Sequence, residues 1–194
     1  MNKRVERGRS TRGQLVAIAT RLFGERGYEG ASIEAVLRES GLSRGALYHH
    51  FADKKALFEA VLEAVEADAA RRTMEAAAGL ADPAEALRAG CQAWVRIAGE
   101  PEVRRIVLID APGVVGWARW RELDEEYGFG ALKAGLVAIA AAGRLDADLV
   151  DLFAHMILAA LNEIALVVAQ SPDPAEATRR GQSAVDQLLA KFLG

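Results

Sequence analysis

Hydrophobic residues recur along this chain with the spacing of an α-helix and never with the alternation of a half-buried strand. The first such stretch is predicted to form a helix over about residues 10–26, with a buried face made of Leu15, Ile18, Ala19, Leu22 and Phe23. Prolines, which lack an N–H and clash with the preceding turn of a helix, stand at or beside the later breaks. The spacing therefore predicts an all-α fold.

Caps and breakers divide the chain into separate helices. Gly27 and Gly41 stand where a helix stops, and Ser32, Ser43 and Asp53 stand where a side-chain oxygen can cap the next helix. Further along, helices are predicted at about residues 83–98, 102–111, 114–142, 146–170 and 174–193. About nine helices are expected in all.

The single cysteine, Cys91, excludes a disulfide framework and a cysteine-rich metal site, and it fits a reducing compartment. The most apolar segment, residues 152–169, is interrupted by His155, Asn162 and Glu163. It therefore falls short of the roughly 18 uninterrupted apolar residues that a membrane span needs. No apolar run follows the basic N-terminus, so we expect no secretory signal. The expectation is a cytoplasmic protein with no membrane partner, cofactor or metal.

The net charge of −3 conceals an uneven distribution. Residues 1–54 hold ten basic and six acidic side chains, whereas residues 55–194 hold fourteen basic and twenty-one acidic ones. Residues 1–9 form a basic N-terminal arm. This asymmetry indicates a polyanion-binding head on an ordinary body, although a basic tail can also be merely solvated.

Two short predicted helices, Ser32–Ser40 and Arg44–His50, are joined by a turn that contains Gly41 and match a helix-turn-helix over residues 32–51. In this motif the second helix enters the major groove of DNA. Its exposed face is predicted to consist of Arg44, Gly45, Tyr48 and His49, because these residues pair at a spacing of four.

Each of these side chains has a physical use on DNA. Arg44 can form two hydrogen bonds to one guanine, and Gly45 lets the start of the helix approach the duplex closely. Tyr48 and His49 can donate to phosphates, and Lys54 adds a cation at the start of the next helix. Tyr48 can also serve mainly in packing, and His50 is expected to lean on the protein core.

The stretch ASIEAVLRESGLSRGALYHHFADKKALFEAV resembles the DNA-binding domain of the TetR family of bacterial transcriptional regulators. The resemblance covers about residues 10–62. It implies a DNA-binding domain at 10–56 and an effector-binding and dimerising helical body at 57–194. The positions that match the usual DNA contacts of that family are Ser32, Ser43, Arg44, Gly45, Tyr48, His49 and Lys54. Glu34 departs from the pattern, since some members have a base-reading cation there.

The last two predicted helices are the candidates for a homodimer interface. An apolar stripe on the last helix consists of Val185, Leu188, Leu189 and Phe192, and the segment 152–169 is apolar around nearly its whole circumference. A single-chain core can also cover such faces. The two-fold helical bundle that the resemblance implies favours the homodimer.

Aromatic and polar residues of the body suggest a site for a small molecule. Trp117, Trp120, Asp124 and Tyr127 share one predicted helix face, Trp94 and Asp110 precede them, and His155 and Asn162 are seven residues apart on the penultimate helix. Mostly aromatic walls with a few convergent polar groups are usual in such sites. Each of these residues can also be purely structural.

These patterns predict a homodimeric repressor that binds a palindromic DNA operator and is released by a small, largely apolar or aromatic effector. One alternative keeps the DNA-binding head but gives the body only a dimerising or protein-binding role. A second alternative is a helical enzyme with His155 and Glu163 or Asp110 as acid and base. No nucleophile–base spacing, phosphate loop or metal constellation in the sequence supports that enzyme.

Overall fold

The computed structural model describes the backbone of residues 3–193 and the side chains of residues 11–192. This part of the chain contains no strand, and it forms nine helices if π-helical segments are joined to their neighbours. They are α1 (Lys3–Gly30), α2 (Ile33–Ser40), α3 (Arg44–His50), α4 (Lys54–Ala77), α5 (Pro83–Ala98), α6 (101–114), α7 (117–141), α8 (Val150–Gln170) and α9 (Pro174–Leu193). The predicted all-α class is confirmed.

Local capping defines the short helices as the sequence predicts. The Oγ of Ser32 accepts a hydrogen bond from the Ala35 N–H at 3.2 Å, and Ser43 does the same for Ala46. Asp53 caps α4 by accepting from the Ala56 N–H at 2.7 Å. Between α2 and α3, Gly41 has a φ of 67°, a left-handed conformation that glycine adopts without strain.

The described residues group into two compact units. The head unit contains the chain up to Val65 together with Pro101–Trp117, and the body unit contains Glu66–Glu100 and the chain from Ala118 onward. This grouping differs from the boundary at residue 56 expected from the sequence, so that boundary stays a prediction. The side chains of the basic arm, residues 1–9, lie outside the described residues.

The head unit is built around α1, α2, α3 and the first turns of α4. The rings of Phe23, Tyr28 and Phe58 pack against one another with centroids 5.2 to 5.9 Å apart, and Leu47 of α3 is fully buried. Rings at these separations stabilise a core beyond the apolar area they bury. This core holds α3 by its inner face and leaves its other face open.

The end of α1 is hydrogen-bonded to α6, which also belongs to the head unit. Gly27 interrupts the helix with φ 71° and ψ 173°, a backbone conformation that is essentially restricted to glycine. A Cβ at this position would lie 2.6 Å from Cζ of Arg105. The N–H of Tyr28 donates to Oδ2 of Asp110 at 2.6 Å, and Arg105 donates to the same oxygen at 3.2 Å.

The body unit is a helical bundle. α5 packs against α7, α8 and α9, and α8 packs against α7 and α9. Its core includes Val95, Leu136 and Ile157, each at most 1% exposed. Between α5 and α9, the Gln92 side chain donates to the Gln182 carbonyl at 2.8 Å, so a polar contact fixes the pairing of two apolar faces.

Two predicted helices are longer or more irregular than expected. α6 runs over 101–114 and consists of Pro101–Val103, the π-helical Arg104–Asp110 and Ala111–Val114. α7 begins at Trp117 instead of near residue 114, because Gly116 has a φ of 88° and breaks the chain there. Within α7, residues Glu125–Phe129 form a second π-helical segment.

α8 belongs to the one stretch of the described chain, Ala147–Gln170, that is long and apolar enough to cross a membrane by length and composition alone. Several of its side chains, among them Ala154, Leu161 and Ala165, are buried in the body unit. Apolar helices that form the core of a helical bundle commonly have this composition.

The predicted dimer stripe on α9 is largely part of the chain's own core. Val185 and Leu189 are 0% and 1% exposed within the single chain, so they cannot contact a second copy. Leu188 is half-buried, and Phe192 is half-buried with its ring against Phe153. The assignment of Val185 and Leu189 to an interface was wrong, because an apolar stripe on a terminal helix is equally suited to its own bundle.

Candidate DNA-binding surface and ligand cavity

The outer face of α3 presents the residues that the sequence predicts for DNA contact. Arg44, Gly45, Tyr48 and His49 are all exposed, and Tyr48 retains 43% of its accessible surface although it is a large ring. Leu47 points into the core and fixes the rotation of the helix. A short capped helix with one buried anchor thus displays four polar or small residues on one exposed face.

Arg44 forms an ion pair with Glu34 across the two helices of the motif. The Arg44 Nη2 lies 2.8 Å from Oε1 of Glu34, and both side chains are about 60% exposed. The pKa of Glu34 lies below its ordinary value, first because its own backbone N–H bonds the carboxylate and then because Arg44 does. In the free protein the guanidinium expected to read a base is therefore held by a carboxylate.

Lys54 and the histidines have partners inside the head unit. The Lys54 ammonium lies 4.3 Å from the centroid of the Tyr28 ring, a cation–π distance, at the start of α4. His49 and His50 place their rings 5.2 Å apart edge to face, and His50 is half-buried beside Phe51. Ser32 and Ser43 use their side chains as caps, which leaves their roles toward DNA as predictions.

A partly open cavity of about 370 Å³ lies within the body unit and is lined by α4, α5, α7 and α8. The wall from α4 runs from Glu66 to Ala77, and α5 adds Leu87, Cys91 and Trp94. Three glycines open the space, since a Cβ at Gly90, Gly128 or Gly135 would touch a neighbouring side chain at 3.0 to 3.7 Å. The volume is within the range of pockets that bind small molecules.

One part of the cavity wall is polar. Asn162 donates to Oδ2 of Asp124 at 2.5 Å, and both residues are buried. Glu66 is only 4% exposed. Burial, and secondly the charge of Asp124, raises the pKa of Glu66 to about 8, so this carboxyl is largely protonated at neutral pH. Burial also raises the pKa of Asp124, an effect that the hydrogen bond from Asn162 opposes.

The π-helical segment of α7 begins immediately after Asp124. Such a segment inserts an extra residue into a helical turn and is frequent at functional sites. It contains Tyr127 and Gly128, and these two residues line the cavity together with Asp124. The three residues are spaced i, i+3 and i+4, as residues that share one face of a helix are.

Four of the eight predicted ligand residues line this cavity, namely Trp94, Asp124, Tyr127 and Asn162. The other four do not. Asp110 is bonded to Tyr28 and Arg105 in the head unit, Trp117 is 58% exposed and Trp120 is 2% exposed. His155 is exposed and stacks on Phe129 with ring centroids 4.4 Å apart. Placing these four residues in one pocket with the others was wrong.

The sequence reasoning missed Glu66. The residue follows Leu62 by four positions and Val65 by one, so it falls on the buried side of α4. A lone carboxylate on an apolar helix face is a signal that could have been found. Of the residues named for the enzyme alternative, His155 and Glu163 are both exposed on α8 and eight residues apart, and Asp110 accepts hydrogen bonds from Tyr28 and Arg105 in the head unit.

These features define the class of protein: a DNA-binding helix-turn-helix protein whose helical body contains a cavity. Residues 15–61 match the family model described as bacterial regulatory proteins, tetR family, and residues 84–192 match a tetracyclin repressor-like C-terminal domain. The second match alone covers more than half of the chain. The chain belongs to the TetR family of bacterial regulators.

Relatives of known name or structure agree with this assignment. The HTH-type transcriptional repressor AcnR of Corynebacterium efficiens is 44% identical over 62 residues, which are 32% of this chain and 31% of that protein. A TetR-family transcriptional regulator from Pectobacterium atrosepticum is 32% identical, with a TM-score of 0.88 over 99% of this chain and 98% of the other. The regulator FadR of Bacillus subtilis, solved with stearoyl-CoA, is 16% identical with a TM-score of 0.74 over 91% and 97%. The match to AcnR spans about a third of that protein, and the likeness to FadR concerns the fold alone.

Proposed function

We propose that this protein represses transcription by inserting α3 into the major groove of a palindromic operator as a homodimer. The observation that carries the proposal is the exposed set of Arg44, Gly45, Tyr48 and His49 on a short helix capped by Ser43. Ser32 and Lys54, at the starts of α2 and α4, supply further contacts to the phosphates. The protein acts in the cytoplasm, where the DNA is.

Replacing Arg44 tests this proposal. Sequences bound by the wild-type protein are selected from random DNA, and affinities are then measured by competition gel shift. Arg44→Ala is expected to weaken the selected site by about 1–3 kcal/mol and to relax preference at one base position. Lys54→Ala is expected to weaken all duplexes about equally, with a shallower salt dependence.

Lys55→Ala is the matched control, because Lys55 is the exposed neighbour of Lys54 and its loss makes the same change in net charge. Its affinities should stay close to those of the wild type. An Arg44→Ala protein that discriminated between bases as well as the wild type does would contradict the role of Arg44.

The cavity is proposed to bind the effector that releases DNA. α4 supports this coupling, since it begins with Lys54 and contributes the cavity wall from Glu66 to Ala77. An effector that binds better when the two recognition helices do not match successive major grooves shifts the population toward that state. FadR of Bacillus subtilis, solved with stearoyl-CoA, has the same fold with a bound ligand.

The homodimer is proposed to form through the outer face of α8. Its exposed apolar residues are Leu152, Met156 and Val167, exposed by 58%, 45% and 60%, and they share one helix face with Ala159 and one exposed carboxylate, Glu163. Large apolar side chains that share an exposed face favour association with another protein surface. A two-fold axis beside α8 would allow each copy to cover the same face of the other.

A further inference from the structure

We propose that the effector is an apolar amine, and that Glu66 and Asp124 bind its ammonium group inside the cavity of the body unit. This inference rests on the proposed effector role of the cavity and specifies the chemistry of its occupant. It assigns a function to Glu66, a buried group that no DNA contact uses.

Glu66 and Asp124 supply two carboxyl groups to one cavity wall, and they interact electrostatically. Burial and the charge of Asp124 are the influences that act on the Glu66 carboxyl, and no cation is among them. Arg121 is the cation that acts on Asp124, and it is also paired with the exposed Glu125 at 3.8 Å. A buried carboxyl that faces another carboxyl is costly to ionise, so a cationic ligand group that compensates the charge gains affinity.

The rest of the wall favours a cation and disfavours an anion. None of the lining residues is a lysine, an arginine or a histidine, so a carboxylate or phosphate ligand would meet two carboxyl groups and no counter-charge. Trp94 and Tyr127 add aromatic rings, whose faces attract cations. The remaining surface is almost entirely apolar and suits a hydrocarbon body.

Binding of an ammonium group beside Glu66 should be accompanied by the release of a proton. Because the pKa of Glu66 is raised to about 8, the empty cavity holds this carboxyl mainly in its protonated form at pH 7. An ammonium group beside it favours the ionised form, so binding below the raised pKa releases a proton to the buffer. Above that pKa the carboxyl is already ionised, and the release disappears.

The volume of the cavity indicates which small molecules are suitable as test ligands. An apolar cavity of about 150 Å³ accommodates one benzene ring, so the volume of about 370 Å³ has room for a bicyclic aromatic group or a short alkyl chain. Two matched series cover both shapes. They are naphthylethylamine, naphthylethanol and naphthylacetate, and octylamine, octanol and octanoate.

The experiment measures binding of all six probes to the full-length protein by isothermal titration calorimetry and by the shift in melting temperature. In at least one series the amine is expected to bind about tenfold more tightly than the alcohol, and the carboxylate should bind most weakly. Titrations at pH 7 in two buffers of different ionisation enthalpy should show release of up to about one proton with the amine. At about pH 9 the release should be absent.

Glu66→Gln should remove the amine preference and the proton release while leaving alcohol affinity within about twofold. Glu75→Gln, an exposed position on the same helix outside the cavity, should behave as the wild type. If Glu66→Gln does not fold by circular dichroism, Asp124→Asn takes its place and should reduce the amine preference, whereas the proton release from Glu66 should persist. Alcohol or carboxylate binding equal to that of the amine overturns the amine proposal but leaves the effector role intact. Failure of all six probes to bind contradicts the effector role of the cavity as well.

Discussion

At the scale of the residue, the ion pair between Arg44 and Glu34 restrains the side chain expected to read DNA. The pair is solvent-exposed, so it contributes little to folding. It must nevertheless be broken before the guanidinium can bond a base edge, and Glu34 brings a negative charge toward the phosphates. We therefore expect Glu34 to lower the affinity of the protein for DNA.

Glu34→Gln should therefore tighten binding to the selected operator by about two- to fivefold, since it frees Arg44 and removes one repelled charge. Affinity is measured by fluorescence anisotropy at several salt concentrations. Glu29→Gln makes the same charge change at an exposed position of the head unit that is not paired with Arg44. An equal gain in both variants would mean that net charge, and not the release of Arg44, sets the affinity.

Some residues of the site could be predicted from the sequence because their roles are local. Ser43 caps a helix that starts at the next residue, and Leu47 is buried three residues later by the same helical geometry. His155 and Asn162 share a face at a spacing of seven, yet only Asn162 is buried. The position of a residue along one helix does not show where the neighbouring helices begin and end. Whether His155 or Asn162 is buried therefore depends on tertiary packing.

At the scale of the element, two glycines of α1 should respond in opposite ways to the same change. Gly13 lies in regular helix with open space around its Cα, whereas Gly27 has a backbone conformation that other residues rarely adopt. Gly13→Ala should raise the free energy of unfolding by about 0.5–1 kcal/mol through helix propensity.

Gly27→Ala should lower that free energy by about 1–3 kcal/mol, because the backbone strain is added to the overlap with Arg105. Urea denaturation followed by circular dichroism measures both variants. If Gly27→Ala left the free energy of unfolding unchanged while Gly13→Ala raised it, the contacts between α1 and α6 would not depend on the backbone conformation of Gly27.

The helices could be predicted from the sequence, but their local irregularities could not. Periodicity predicted the existence and order of the nine helices, because burial of one face is a regular signal. The π-helical segment after Asp124 could not be predicted from the spacing of hydrophobic residues. Trp117 and Trp120 precede it in regular helix and do not line the cavity, because the tertiary packing of α7, and not its periodicity, determines which part of it borders the cavity.

At the scale of the whole molecule, the outer face of α8 offers a test with a matched control. Val167 on α8 and Val137 on α7 are the same residue type, exposed by 60% and 51%. Val167→Asp should dissociate the proposed dimer, because it adds a second carboxylate beside Glu163 where apolar side chains would be covered, and Val137→Asp should leave the dimer intact.

Sedimentation velocity over a range of concentrations distinguishes the two forms of each variant. A dimer that survived Val167→Asp would exclude the outer face of α8 as the interface. Dissociation should also weaken operator binding, since a palindromic site is contacted by two recognition helices. The sequence predicts an interface on the last two helices, and proposing α8 in place of α9 required knowing which faces the chain buries by itself.

Cys91, the single thiol of the sequence, stands in the wall of the cavity. It is 3% exposed, and burial raises the pKa of its thiol to about 12, so the reactive thiolate is scarce at neutral pH. The chain thus carries a built-in chemical reporter whose slow rate of alkylation depends on how often the wall opens. A molecule bound in the cavity would lower the alkylation rate of Cys91 further. Occupancy of the cavity could therefore be followed from that rate in the native protein, without a dye, an added cysteine or any knowledge of the operator.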